Sequence, residues 1–264
     1  MSWCAKPSGS YISSGKNTTS LVLTDEGYQN LIEIYNYLSG LGWTIEAIAG
    51  MCGNFVVESE MNPWRWQGDT VSYTAGYGLP QFTPASGYIT DYGTSAPNFS
   101  PNLSVSEQTD GATPEDGEAQ LYVIHNDLAG KFINRTSYCD FYDISGSYPM
   151  SSYRTVTDLY EATLGWFFHY EGSAIVLSGT TEQKQTQSGY RYNNAVACYN
   201  YLVDYLDSGG SGGETGGGDT GEGGETGGGD TDDDDEPSVT PSYSGYTRRK
   251  MPVWLLSLRH PSRY

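Results

Sequence analysis

Residues 52–63, CGNFVVESEMNP, and residues 76–84, GYGLPQFTP, decide how this chain reads. The first stretch closes an apolar helical pattern. Thr44 is a helix-start residue, and Ile45, Ile48, Ala49, Cys52, Phe55 and Val56 recur at the spacing of one helix face. Asn62-Pro63 ends the run, because a residue before proline is pushed out of the helical region. Two carboxylates, Glu58 and Glu60, therefore fall at the C-terminal end of an apolar helix. There the helix dipole and the loss of water both disfavour negative charge, which is how a glutamic acid is kept protonated for general-acid work. Glu58 borders the apolar face one turn from Phe55, and Glu60 borders its other edge over Val56 and Val57. Periodicity does not choose between them, and two solvated glutamates at a helix end would give the same pattern.

The second stretch follows an aromatic and polar loop, WRWQGDT, at residues 64–70. Glycines such as Gly76 and Gly78 let a backbone pass close to a ligand, and Trp, Tyr, Gln and Asn stack on and hydrogen-bond to sugar rings. Together they describe a polysaccharide cleft, with Trp66 and Tyr77 as sugar platforms or, equally well, as packing residues.

The order E-S-x-x-N-P (58–63) followed by G-Y-G-L-x-Q-F-T-P (76–84) resembles the lysozyme superfamily, most closely the lysozyme-type domain of bacteriophage tail proteins. Lytic transglycosylases share a similar pattern. The likeness extends to Trp43-Thr44 and Ala47 to Gly50, to Ala119-Gln120-Leu121, and to Phe168-His169-Tyr170-Glu171 ahead of Arg191, Ala195 and Tyr199. It covers residues 24–206.

This resemblance implies a mostly α, lysozyme-like domain with a loop-rich cleft segment, acting on the β-1,4 bond between N-acetylmuramic acid and N-acetylglucosamine in peptidoglycan. The family's catalytic glutamate falls on Glu58, which would protonate the departing glycosidic oxygen. Gln81 matches the cleft glutamine, Thr83 lies in the same motif, and Tyr170 would reach the cleft from a later helix unless it packs in the core. Three continuations stay open: a second carboxylate attacks the sugar, or it activates a water, or the sugar's own hydroxyl closes the ring, as in a transglycosylase. Asp69 in the polar loop is the first candidate for that second group. Glu60 lies about 200° round the helix from Glu58, which disfavours it. Glu171 is expected to pair with Arg191.

The chain's 264 residues carry a net charge of −19, distributed in three regimes. Residues 1–206 hold 21 acids and 8 bases, residues 207–236 hold 11 acids and no base, and residues 237–264 hold 5 bases and no acid. A phosphate-binding face is missing, so nucleic acid is not an expected partner. No apolar run reaches the ~18 residues of a membrane span, and the first residues do not read as a secretory signal. Stable membrane insertion is not expected, and synthesis in a host cytoplasm is. Cys4, Cys52, Cys139 and Cys198 show no zinc spacing, and His125, His169 and His260 are scattered, so neither metal nor cofactor is expected. The cysteines read as reduced core thiols, with a Cys139–Cys198 disulfide as the alternative. A Cys–His amidase would need Cys52 or Cys139 beside a histidine.

The expected organisation is an N-terminal extension (1–23), the catalytic domain (24–206), a flexible acidic linker (207–237) and a docking peptide (238–264). In the linker GGETGGGDT occurs twice, at 212 and 223. Such a segment has no apolar surface to bury and repels itself. The docking peptide places Met251 to Leu258 between basic residues, which suits attachment to phage tail-tip proteins; a frayed tail or a membrane-surface contact are alternatives. An acidic domain on an acidic tether is poorly suited to adsorb to anionic walls, so delivery on a virion is expected. Within the domain, further helices are expected at 24–39, 115–128, 156–170 and 189–206. The rival functions are a non-catalytic tail plug or glycan-binding module, a free endolysin, and a chitinase-like glycosidase.

Overall fold

The computed structural model describes residues 3–4, 23–103, 115–132, 141 and 149–209. These are helical with no strands, apart from two isolated bridges, Trp66 with Tyr77 and Tyr77 with Phe82. The linker and the docking peptide lie outside the described residues, as does Cys139.

Helix α1 (Asp25–Ser39) is capped by the Thr24 side chain, which accepts from the Gly27 N–H, and stops at Gly40. Helix α2 (Ile45–Ser59) is capped in the same way by Thr44 and is the buried axis of the domain. Short helix α3 (Ala85–Thr90) follows the glycine-rich turn, and α4 is Asp116–His125. Beyond them come α5 (Met150–Tyr153), α6 (Leu159–Gly165), α7 (Ala174–Ser178) and the long α8 (Thr181–Asp207). Helix α8 starts eight residues before the expected Gly189, because Thr180 and Gln183 form a reciprocal capping box.

Two glycines bring α6 and α8 into backbone contact with α2. A Cβ on Gly50 would lie 2.6 Å from that of Ala162, and a Cβ on Gly53 would lie 2.5 Å from the Arg191 carbonyl oxygen. Asn54 then donates to the Gly50 and Thr163 carbonyls, tying α2 to α6. Between α6 and α7 the chain widens into a π turn, Trp166–Glu171, where the sequence alone predicts continued α-helix.

The C-terminal end of α2 differs from the expectation. The helix stops at Ser59, and Glu60 and Met61 take left-handed backbone conformations with φ of 55° and 66°. Non-glycine residues adopt that region only when surroundings hold them there. Here Asn30 does so, donating to the Met61 carbonyl at 2.9 Å, while Asn62 accepts from the Trp64 N–H. Glu60 thus leaves the helix altogether, and an angle measured round the helix does not describe its position. Cys198 is a free, buried thiol, which removes the Cys139–Cys198 disulfide.

Candidate active site

Ser59 explains why the two motifs occur together. Its hydroxyl donates to the Leu79 carbonyl at 2.9 Å, fastening the end of α2 to the glycine-rich turn. The Leu79 N–H donates to Gln120 Oε1 at 2.7 Å, and Gln120 Nε2 donates to the Pro63 carbonyl and to Asp116. Gly78, with φ of 79°, is required there: a Cβ would sit 2.4 Å from Gln120 Oε1. Asp116 is fully buried and also accepts from the Tyr77 and Tyr88 hydroxyls and from the Ser100 N–H. Burial raises its carboxyl, while these donors pull it the other way. This hub on α4 fixes the turn against α2; the sequence offered only the Ala119-Gln120-Leu121 likeness as a signal for it.

Glu58 occupies the last turn of α2 and keeps access to solvent, its side chain being 23% exposed. Its Oε1 accepts from Arg191 Nη2 at 2.6 Å, and the Arg191 side chain is only 5% exposed. Arg191 is itself held by Gln187 Oε1 at 2.8 Å and lies 4.3 Å over the Phe167 ring. The expected pairing of Arg191 with Glu171 is therefore replaced by one with Glu58. Glu171 instead accepts from the Trp166 indole N–H at 2.8 Å. Its carboxyl is pushed up to about 8, first by burial and then by the charge of Glu58, with Arg191, the indole and Lys131 acting in the opposite direction. Lys131 in turn donates to the Thr83 carbonyl at 2.9 Å. Contacts thus run from Glu58 through Arg191 to Phe167 of the π turn, and separately from Ser59 to Leu79 of the glycine-rich turn, while Lys131 is bonded to Thr83 at the end of that turn.

The other sequence candidates divide. Thr83 is exposed at the end of the glycine-rich turn, and Gln81 is half-buried beside it, its Nε2 donating to the Arg65 and Gly78 carbonyls. Asp69 pairs with Arg65 at 2.8 Å, with its side chain 42% exposed, and is not joined to Glu58 by any of these contacts. Trp66 and Tyr77 are packing residues and not sugar platforms, and Tyr170 packs in the core instead of reaching a cleft, because all three rings are enclosed. Trp66 donates to the Asn102 carbonyl, and the Tyr77 hydroxyl donates to Asp116 and accepts from the Asn102 N–H. Tyr170 stacks on Trp166 with centroids 4.1 Å apart. A ring with both faces covered supports a cleft wall and has no surface to offer a sugar. Cys52 is buried within α2 with its thiol raised by desolvation, which does not suit a nucleophile.

A carboxylate at the end of a buried central helix, pinned to a glycine-rich turn within an all-helical domain, defines a lysozyme-like protein. The phage tail lysozyme family matches residues 29–202, and the chain belongs to it. Morphogenesis protein 1 of Bacillus phage B103 is 49% identical over 57 residues, a stretch making up 21% of this chain and 16% of that protein. The match thus spans about a sixth of the relative's length. No helix among the described residues is long and apolar enough to cross a membrane.

Proposed function

We propose that this chain is a virion-associated glycosidase that cleaves the N-acetylmuramic acid to N-acetylglucosamine β-1,4 bond of peptidoglycan, opening the host wall during genome entry. The observation that carries the reading is Glu58: a solvent-reached carboxyl on a rigid helix end, beside a buried arginine and the glycine-rich turn. Glu58 gives its proton to the departing glycosidic oxygen. Arg191, already at 2.6 Å, receives the negative charge left on the carboxylate. Gln81 and Thr83 line the approach of the glycan, and residues 238–264 dock the chain to tail-tip proteins. Membership in a phage tail lysozyme family supports both the substrate class and the virion setting.

Digestion of purified sacculi tests the reaction. Mass spectrometry of the released fragments should show new muramic acid ends, and Glu58→Gln should retain at most about 1% of the rate, a general acid being worth ~10²- to 10⁴-fold. Cut peptides, glucosamine-type ends or an active Glu58→Gln enzyme overturn the reading. Purified particles that lack the chain overturn the virion assignment alone.

A further inference from the structure

Residues 3 and 4, at the start of the chain, reach both supports of the site. The Asn30 side chain, buried on α1, makes a two-point bond with Cys4: its Oδ1 accepts from the Cys4 N–H at 2.8 Å, and its Nδ2 donates to the Cys4 carbonyl at 2.7 Å. The same Nδ2 donates to the Met61 carbonyl at 2.9 Å. Both hydrogens of the amide are thereby spent, one on the N-terminal segment and one on the turn that closes α2. Trp3, the preceding residue, is 4% exposed and lies against Gly117 of α4. A Cβ on Gly117 would come within 2.5 Å of the indole ring, so glycine is what admits Trp3 there. Gly117 directly follows Asp116, the hub that fixes the glycine-rich turn.

Resting on the reading of Glu58 as the acid of a glycosidase, we propose that Trp3 and Asn30 are positioning residues, and that the N-terminal segment is a clamp that sets where Glu58 stands. Glu60 and Met61 hold left-handed conformations, which non-glycine residues keep only when their surroundings impose them. The Met61 bond to Asn30 supplies that restraint, and Cys4 in turn fixes the Asn30 amide. Two residues before Met61, Ser59 bonds Leu79, and its neighbour Glu58 meets Arg191. With Cys4 withdrawn, the amide loses two of its three bonds and is free to turn away from Met61. The left-handed pair then relaxes, and the last turn of α2 moves with Glu58. Trp3 is the anchor that keeps Cys4 in place. Its indole N–H meets no acceptor among the described residues, so the apolar face of the ring does the anchoring. Gln81 is held separately, by the Arg65 and Gly78 carbonyls, so losing the clamp should lower kcat and spare KM.

Initial rates on sacculi test the clamp, with full-length Trp3→Ala, Asn30→Ala, the double variant and Trp3→Phe assayed at a temperature where circular dichroism shows each one folded. Trp3→Ala and Asn30→Ala should each lose about 10- to 10²-fold in kcat with KM nearly unchanged. The double variant should lose little more than the worse single one, because both changes release the same turn. Trp3→Phe keeps an apolar ring beside Gly117 and should keep most of the rate. Wild-type kcat in either folded alanine variant, or losses that multiply in the double variant, overturns the clamp and leaves the role of Glu58 intact. An active Glu58→Gln enzyme overturns the glycosidase reading itself. If the alanine variants do not fold, hydrogen exchange in the wild type decides: the Cys4 N–H should exchange in the same opening event as the Asn62 and Leu79 N–H groups. A Cys4 N–H that exchanges at the open-chain rate while those two stay protected overturns the proposal.

Discussion

Replacing Glu171 by glutamine should change how stability depends on pH more than it changes stability at any one pH. The wild-type carboxyl rises from its ordinary 4.5 to about 8 on folding. Below pH 4.5 folded and unfolded chains both hold the proton, and the contribution of Glu171 to stability is fully present. Between 4.5 and 8 the unfolded chain releases the proton and the folded one keeps it, so the contribution falls as pH rises. Above 8 it is lost. At ~1.4 kcal/mol per pH unit the full shift corresponds to about 5 kcal/mol, and the partial solvent access of Glu171 reduces this to roughly 2–3 kcal/mol. Glutamine keeps the shape and an acceptor for the Trp166 N–H but does not titrate. Urea unfolding of both proteins at half-unit steps from pH 4.5 to 9, at constant ionic strength, measures the difference. The wild type should lose roughly 2–3 kcal/mol relative to Glu171→Gln across that window, and in a Glu58→Gln background the same comparison should give a smaller loss. Parallel curves would refute the claim that Glu171 folds as a protonated group beside Glu58.

Gly53→Ala puts a methyl group 2.5 Å from the Arg191 carbonyl oxygen and 2.6 Å from the Ala195 nitrogen, neither of which can swing aside. It should cost about 1–3 kcal/mol, read as a lowered Tm, and reduce activity further by moving Arg191 off Glu58. Asp116→Ala strands the Tyr77 and Tyr88 hydroxyls, Gln120 and the Ser100 N–H, and should cost about 3 kcal/mol or more in urea unfolding. Tyr88→Phe, which removes one of those bonds, should cost about 1 kcal/mol. Ser59→Ala loses the bond to Leu79 and should cost about 1 kcal/mol in stability but a larger share of kcat, because the turn is then free to shift against Glu58.

The elements that local chemistry determines were legible in the sequence. Thr24 and Thr44 cap the helices they were expected to cap, and the apolar stripe from Ile48 to Val56 is the buried face of α2, with Ile45 half-buried at its start. The site was legible only in half. Glu58 and the glycine-rich turn stand in one short segment, whereas Arg191 reaches Glu58 from 133 residues away. No periodicity carries that pairing; it follows from Gly53 letting α8 cross α2 at backbone contact. The π turn was hidden for a similar reason. Trp166 to Glu171 are all compatible with α-helix, and the wider winding arises from packing around Phe55, Tyr153 and Phe132. The loop aromatics misled because tryptophan and tyrosine carry the same signal on a sugar platform and in a core. Their hydrogen bonds to Asn102 and Asp116, which mark Trp66 and Tyr77 as interior, come from segments far along the chain.

Where the site's rigidity comes from bears on how it can work. Glu58 has little freedom to seek its substrate: its helix is locked by Asn54 and the two glycines, its end is tied to Leu79 by Ser59, and its carboxyl is held by an arginine that is itself fixed by Gln187 and Phe167. In the proposed reaction the glycan is therefore brought to a preset carboxyl, and the proposal assigns its binding free energy to the rim near Thr83 and Lys131. Lys131 is a cation on that rim, and its bond to the Thr83 carbonyl ties the rim to the charge that acts on Glu171. Lys131→Met should accordingly raise KM and also raise the pH at which folded Glu171 loses its proton, because removing a cation makes Glu171 hold its proton more tightly. Initial rates on sacculi measure the first effect, and urea unfolding across the same pH range measures the second. A rise in KM with an unchanged pH dependence of stability would place Lys131 on the substrate alone and detach it from Glu171.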